Sequence, residues 1–216
     1  MLSKVACLSK TLILVFLVGI LAAADLPAFP MPAAAAELTL PAPFADSLLP
    51  PIGHSRFCLR YPDDCEVRGI DFRRRNIVLT LARQIELNSV NRQVNREIVP
   101  KLTAGNGATE EWLISPPAGD CKDYAITKRH ELLARGWPSR ALLLSEVVIP
   151  SGEHHVVLIV RVKDVDLVLD NLKTDIWSVA MTYGQYQWVR IETPQNPKFW
   201  TRVHLPGAMQ TAMTSQ

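Results

Sequence analysis

Little in the sequence favours one sign of charge: 23 Lys and Arg stand against 21 Asp and Glu, for a formal net charge of +2. No basic cluster is interleaved with aromatics, and Arg73-Arg74-Arg75 is long enough only for a solvated helix start. No nucleic-acid partner is expected. Long apolar runs are missing as well, because the marked one, Thr11 to Ala24, falls short of the ~20 residues a membrane helix needs. Cysteine is sparse, four in 216 residues, and none has a partner at CxxC or HxxxH spacing. A zinc site is therefore a poor reading.

What is present begins with Lys4 and Lys10 ahead of that apolar run, with small residues directly after it. This is a secretory signal pattern over residues 1–24, with cleavage at the Ala22 to Ala24 stretch or as late as Ala36; an uncleaved N-terminal anchor is the rival reading. Residues 25–55 form a Pro/Ala-rich leader, 56–205 a single domain with its own core, and 206–216 a tail. The expected location is the periplasm or the medium, with no membrane attachment once the signal is removed. Cys7 leaves with the signal, so Cys58, Cys65 and Cys121 remain. Cys58 and Cys65 bracket a loop containing Pro62-Asp63-Asp64, and in an oxidising compartment they are the natural disulfide, which leaves Cys121 free.

Along the domain, Ile77, Leu81 and Ile85, then Val90, Val94 and Ile98, recur at helical spacing with a phase shift near Asn88-Ser89. The spacing predicts two helices or one bent helix ending before Pro100. Asp120, with Asp123 three residues on, is a capping-box-like start for a helix that closes at Gly136 with Pro138 beyond it. Cys121 falls in its first turn. The period then changes: residues 141–149, 155–162, 167–170 and 185–191 read as strands separated by turns. Helices followed by an antiparallel sheet make an α+β domain.

Unpaired backbone N–H groups and the positive end of the helix dipole favour a thiolate at a helix start. A nucleophile of this kind needs a base and a group to orient the base. His155 opens one strand and Asp170 closes the next, so a hairpin can bring them together, and the three groups converge if the sheet packs on the Cys121 helix. Alternatives remain at this level. A lone cysteine is more often a small buried residue, His154 is as good a base as His155, and Asp170 is also placed to cap a strand. His54, His130 and His204 read as solvated, and Trp112 reads as a core residue or a wall of a cleft.

Three segments, Gly119-Asp-Cys-Lys-Asp-Tyr-Ala125, Gly152-Glu-His-His-Val-Val157 and Asp166-Leu-Val-Leu-Asp-Asn171, together resemble the bacterial transglutaminase-like cysteine peptidases. The similarity continues through Asn91 to Asn95, Trp112, Tyr186 to Arg190 and Trp200, nearly the whole mature domain. The resemblance implies a papain-like/transglutaminase-like fold, with N-terminal helices packed on an antiparallel sheet. It also implies a triad of Cys121, His155 and Asp170, preferring His155 to His154. The function it implies is an exported cysteine peptidase acting on an envelope or secreted protein. An acyl transferase on the same site and a non-catalytic binding module are the alternatives. The best-understood branch of the family binds calcium through acidic residues flanking the cysteine. Lys122 stands where an acidic residue is common, and an ammonium cannot ligate a hard cation. The expectation is therefore no cofactor, calcium included.

Overall fold

In the computed structural model the described residues are 47–67, 77–101 and 110–203. The signal, most of the leader and the tail lie outside them, as do Phe72 and the Ala104 to Ala108 turn.

The folded body begins at β1 (Ser47–Leu48), which pairs antiparallel with the last strand, and continues into α1 (Ile52–Arg60). β1 and the first half of α1 fall within the segment read as leader. His54, read there as solvated, is fully buried, and its Nε2 lies 2.9 Å from Glu192 Oε1. Helical spacing accounts for the correction: His54 and Phe57 are three apart, so they share the inward face of α1. Cys58 and Cys65 form a disulfide that ties α1 to the 3-10 turn Pro62–Cys65. His130 is half-exposed, with Nδ1 3.0 Å from Asp64 Oδ1, and His204 is not among the described residues.

The helical spacing ahead of Pro100 resolves into one helix, α2 (Leu81–Glu97), whose N-cap Thr80 accepts from the Arg83 N–H. Only the second half of the apolar pattern is core. Leu87, Val90 and Val94 are buried, whereas Leu81 and Ile85 are exposed and Ile77 precedes the helix. Two short strands, β2 (Val99–Pro100) and β3 (Ala118–Gly119), then make a parallel ribbon.

α3 (Cys121–Ala134) starts with the expected capping box, in which Asp120 and Asp123 each accept a backbone N–H from the other's end of the turn. Such a cap contributes about 1 kcal/mol. The helix stops where Gly136 takes φ 83°, and the Gly136 and Trp137 N–H groups bond back to Leu133 O and Leu132 O. That pair of bonds is the glycine-closed C-terminal motif. Residues Asp123 to Arg129 are all buried, because α3 is packed by α2 on one side and by the sheet on the other.

The remaining chain folds as β4 (Leu142–Val148), β5 (His154–Val162), β6 (Val165–Leu169), β7 (Trp177–Ser178), β8 (Gln187–Thr193) and β9 (Asn196–Arg202). They form a seven-stranded sheet in the order β1-β9-β8-β4-β5-β6-β7, with every pair antiparallel. Both faces are covered. Val156, Leu158 and Val160 join the core shared with the helices, while Val157 and Ile159 join a second core with Val179, Tyr186 and Trp188. A strand buried on both faces is apolar at every position, which is why β5 reads as a continuous run. Each fully buried Leu or Val here contributes about 1.5–3 kcal/mol. Among the described residues, no helix is long and apolar enough to cross a membrane.

Candidate active site

Four elements meet at the start of α3. The β2–β3 ribbon leads the chain in: Val99 N–H donates to Pro117 O and Lys101 N–H to Gly119 O, at 3.1 and 2.8 Å. The Tyr124 hydroxyl donates to Ile98 O at 2.5 Å, so the end of α2 is laced to the first turn of α3. At Gly119 any Cβ would run into the Asp123 carboxylate. That carboxylate also accepts the Leu113 N–H at 2.8 Å and the Asp120 N–H at 3.1 Å. Burial pushes the Asp123 carboxyl up, and those two bonds act against it.

Cys121 is the first residue of α3, a half-buried free thiol. It lies near enough to His155 to act on the charge of that ring. The His155 ring is 4 % exposed, and its Nε2 donates to Asp170 Oδ1 at 2.7 Å. With Nε2 engaged by the carboxylate, Nδ1 is the nitrogen left for the thiol. Burial alone would lower the ring's pKa, but the Asp170 hydrogen bond and the Cys121 contact raise it to about 9. His155 and Asp170 are thus directly bonded, and Cys121 lies near enough to act on the ring's charge.

Asp170 follows the last residue of β6 and is buried. Oδ1 also accepts the Leu172 N–H at 2.9 Å, and Oδ2 accepts a short bond from the Tyr186 hydroxyl. Burial opposes its charge, yet the His155, Tyr186 and Leu172 bonds hold its carboxyl below the usual range. Burial and the facing carboxylate push the Tyr186 hydroxyl up, so it stays a donor. From α2, Asn95 Nδ2 donates to the carbonyls of Asp170 and Lys173 at 3.0 and 3.3 Å, and Asn91 Nδ2 to that of Thr174 at 3.3 Å. The loop after β6 is therefore strapped to α2.

The neighbouring histidine is elsewhere. His154 is exposed, and its Nδ1 lies 2.5 Å from Glu146 Oε1, a carboxylate shared with Arg190. Trp112 is 1 % exposed and stands edge-on to His54 at 5.5 Å, a core position rather than a cleft wall. Beside the thiol, Lys122 Nζ lies 2.7 Å from both Asp120 Oδ2 and Glu110 Oε1. Burial would lower its pKa, but the two carboxylates hold it well above the ordinary lysine value.

Sequence reading did not find Tyr186 as a partner of Asp170, nor Lys128. Tyr186 precedes β8 across the sheet from Asp170, and no spacing rule links the two. Lys128 is fully buried in α3, and its Nζ has no hydrogen-bond partner among the described residues. Burial lowers its pKa to about 7, with the Asp170 charge acting the other way.

A free thiol at a helix start, near an imidazole that a buried carboxylate holds, is the side-chain arrangement used by cysteine hydrolases. The comparisons with known proteins agree in class. The family model for the bacterial transglutaminase-like cysteine proteinases matches residues 45–207, and the chain belongs to that family of cysteine peptidases. No curated protein matches the chain. Among solved structures, Legionella pneumophila LapG is 28% identical with a TM-score of 0.43, over 50% of this chain and 63% of that one. The chain thus spans less than two thirds of that relative. Calcium-bound LapG is 24% identical with a TM-score of 0.46, over 60% of this chain and 78% of that one. An EGTA-treated form is 23% identical, with a TM-score of 0.46 and coverage of 60% and 77%.

The expectation of no cofactor is corrected by this finding. LapG has been solved calcium-bound as well as after EGTA treatment. Calcium binding therefore occurs in the family.

Proposed function

We propose that this chain hydrolyses a peptide bond of an envelope or secreted protein, with Cys121 as nucleophile, His155 as acid and base, and Asp170 as the group that orients the ring. The observation that carries the reading is the buried His155 ring, bonded through Nε2 to Asp170 at 2.7 Å, with Cys121 near enough to act on its charge. An imidazole held in this way keeps one tautomer and is stabilised when it becomes imidazolium.

His155 takes the Cys121 proton. The thiolate attacks the scissile carbonyl carbon, and the carbonyl π electrons move to oxygen. Backbone N–H groups at the start of α3, that of Cys121 among them, are the candidate donors to this oxyanion. His155 gives its proton to the leaving amine as the C–N bond breaks, leaving an acyl thioester. It then takes a proton from water, whose oxygen displaces the thiolate and releases the carboxylic acid. Export, and with it an envelope or secreted substrate, rests on the signal pattern in residues 1–24.

The test compares the peptide termini of envelope and secreted proteins from cells with the wild-type chain and with Cys121→Ala, with calcium supplied because the Legionella relative binds it. New termini that need Cys121 are the expected result. Their absence throughout removes the peptidase reading.

A further inference from the structure

A second group of reactive side chains lies outside the active site. His54 and Cys58 are four apart on α1, so they share one face of it, and Cys65 reaches the same place from the turn Pro62–Cys65. Cys58 Sγ lies 3.9 Å from His54 Nδ1 and 3.8 Å from Nε2. One ligand atom from each of the three residues falls within 4.8 Å of the other two. Around a tetrahedral zinc ion, with Zn–S of about 2.3 Å and Zn–N of about 2.0 Å, ligand atoms stand about 3.5–4 Å apart. Small rotations therefore bring the three side chains to a metal once the sulfurs are free. Spacing along the chain conceals this, because the helix supplies HxxxC and the second cysteine belongs to another element.

A disulfide needs no imidazole beside it. His54 is nonetheless fully buried, among Phe57, Trp112 and Trp200 with ring centroids 6.1, 5.5 and 5.3 Å away. Its Nε2 lies 2.9 Å from Glu192 Oε1, a buried atom with no hydrogen bond among the described residues. That oxygen is a ready acceptor for an Nε2–H, which leaves Nδ1 to a metal, the carboxylate–histidine–metal arrangement of zinc proteins. Glu192 Oε2 accepts the Leu144 N–H at 2.9 Å and lies 3.9 Å from Arg129 Nε. The charges also close. Two thiolates neutralise zinc(II) and Arg129 faces Glu192, so no net charge is buried.

We propose that in the reduced chain Cys58, Cys65 and His54 hold a zinc ion, with Glu192 orienting the histidine and water in the fourth position. A dithiol supplies two electrons and two protons to the Cys58–Cys65 bond and becomes a disulfide itself. The two thiols formed lose their protons to solvent as their sulfurs bind the metal. Sulfur and nitrogen donors suit zinc, whereas calcium takes oxygen ligands, so this site is separate from calcium binding in the family. In a reducing compartment, where a disulfide does not persist, the ion takes over the link between α1 and the turn.

The test uses the full-length chain carrying Cys7→Ser and Cys121→Ser, in which Cys58 and Cys65 are the remaining cysteines. The chain is titrated with cobalt(II), whose thiolate charge-transfer absorption reports sulfur ligation, before and after reduction by a phosphine. The reduced chain is expected to take one cobalt, displaced by an equivalent of zinc, and the oxidised chain none. Glu192→Gln keeps the absorption and weakens zinc binding about 10–100-fold, and His54→Gln alters the absorption itself. No absorption in the reduced chain overturns the site. An absorption that persists unchanged in urea, or that neither variant affects, shows chelation by any pair of thiols and overturns it equally.

Discussion

Replacing Asp170 by Asn keeps the side chain's outline and removes its charge. The amide oxygen can still accept from His155 Nε2, and the Tyr186 hydroxyl can turn to accept from the amide nitrogen, so the ring keeps its place. What changes is the protonation of the ring. His155 is carried from 6.5 to about 9 against the pull of burial, by Asp170 first and Cys121 second. A rise of that size is roughly a 300-fold change in acidity, or about 3 kcal/mol. Without the carboxylate, burial is opposed by Cys121 alone, and the ring's pKa falls to about 7 or below. The assay is chloroacetate alkylation of Cys121 across pH, followed by mass spectrometry of the Cys121 peptide; the reagent is an anion, so its rate falls as the neighbouring imidazolium deprotonates. Wild type loses reactivity near pH 9, and Asp170→Asn loses it about two pH units lower, with alkylation at pH 8 reduced by about tenfold or more. A basic limb that stays near pH 9 in the variant would show that the Asp170 charge does not set the ring's protonation.

Three further outcomes are expected. Gly119→Ala drives a methyl group into the Asp123 carboxylate that completes the capping box, and it lowers stability by about 1–3 kcal/mol in urea unfolding; an unchanged midpoint counts against the close approach. Tyr186→Phe leaves Asp170 Oδ2 without its donor in a buried site, at a cost of about 1–3 kcal/mol, and equal stability of variant and wild type refutes the role given to that hydroxyl. Because the folded value of His155 lies above its unfolded one, its stabilising contribution is complete below about pH 6.5 and is lost as pH rises through about 9. The urea midpoint therefore falls between pH 6.5 and 9 in wild type, and the fall shrinks in His155→Gln; equal slopes argue against the coupling.

Much of the site was legible because its parts have local causes. A capping pair three residues apart marks the start of α3, a positive-φ glycine marks its end, and the thiol between them follows from position alone. His155 and Asp170 lie at the ends of consecutive strands joined by a short turn, so a hairpin accounts for their meeting. Other parts resisted for reasons equally physical. Leu81 and Ile85 have helical spacing yet face outward, because spacing shows that a helix has an apolar side but not that anything covers it. β9 went unread since Pro197 and Lys198 interrupt its alternation, and its pairing with β8 and β1 supplies what the pattern lacks. His54 was placed with the leader because its partner, Glu192, lies far along the chain.

The sequence by itself determined the class of chemistry: a free cysteine at a helix start, a histidine and an aspartate at strand ends, and the order of helices before sheet. These are short-range properties, set by caps, turns and periodicity within a few residues. Only the tertiary structure decided that His155 is buried against Asp170 while His154 pairs with Glu146, what else holds Asp170, and that Lys128 is buried with no hydrogen bond to its Nζ among the described residues. Those facts depend on elements far apart in the chain packing face to face, and no local pattern carries that distance.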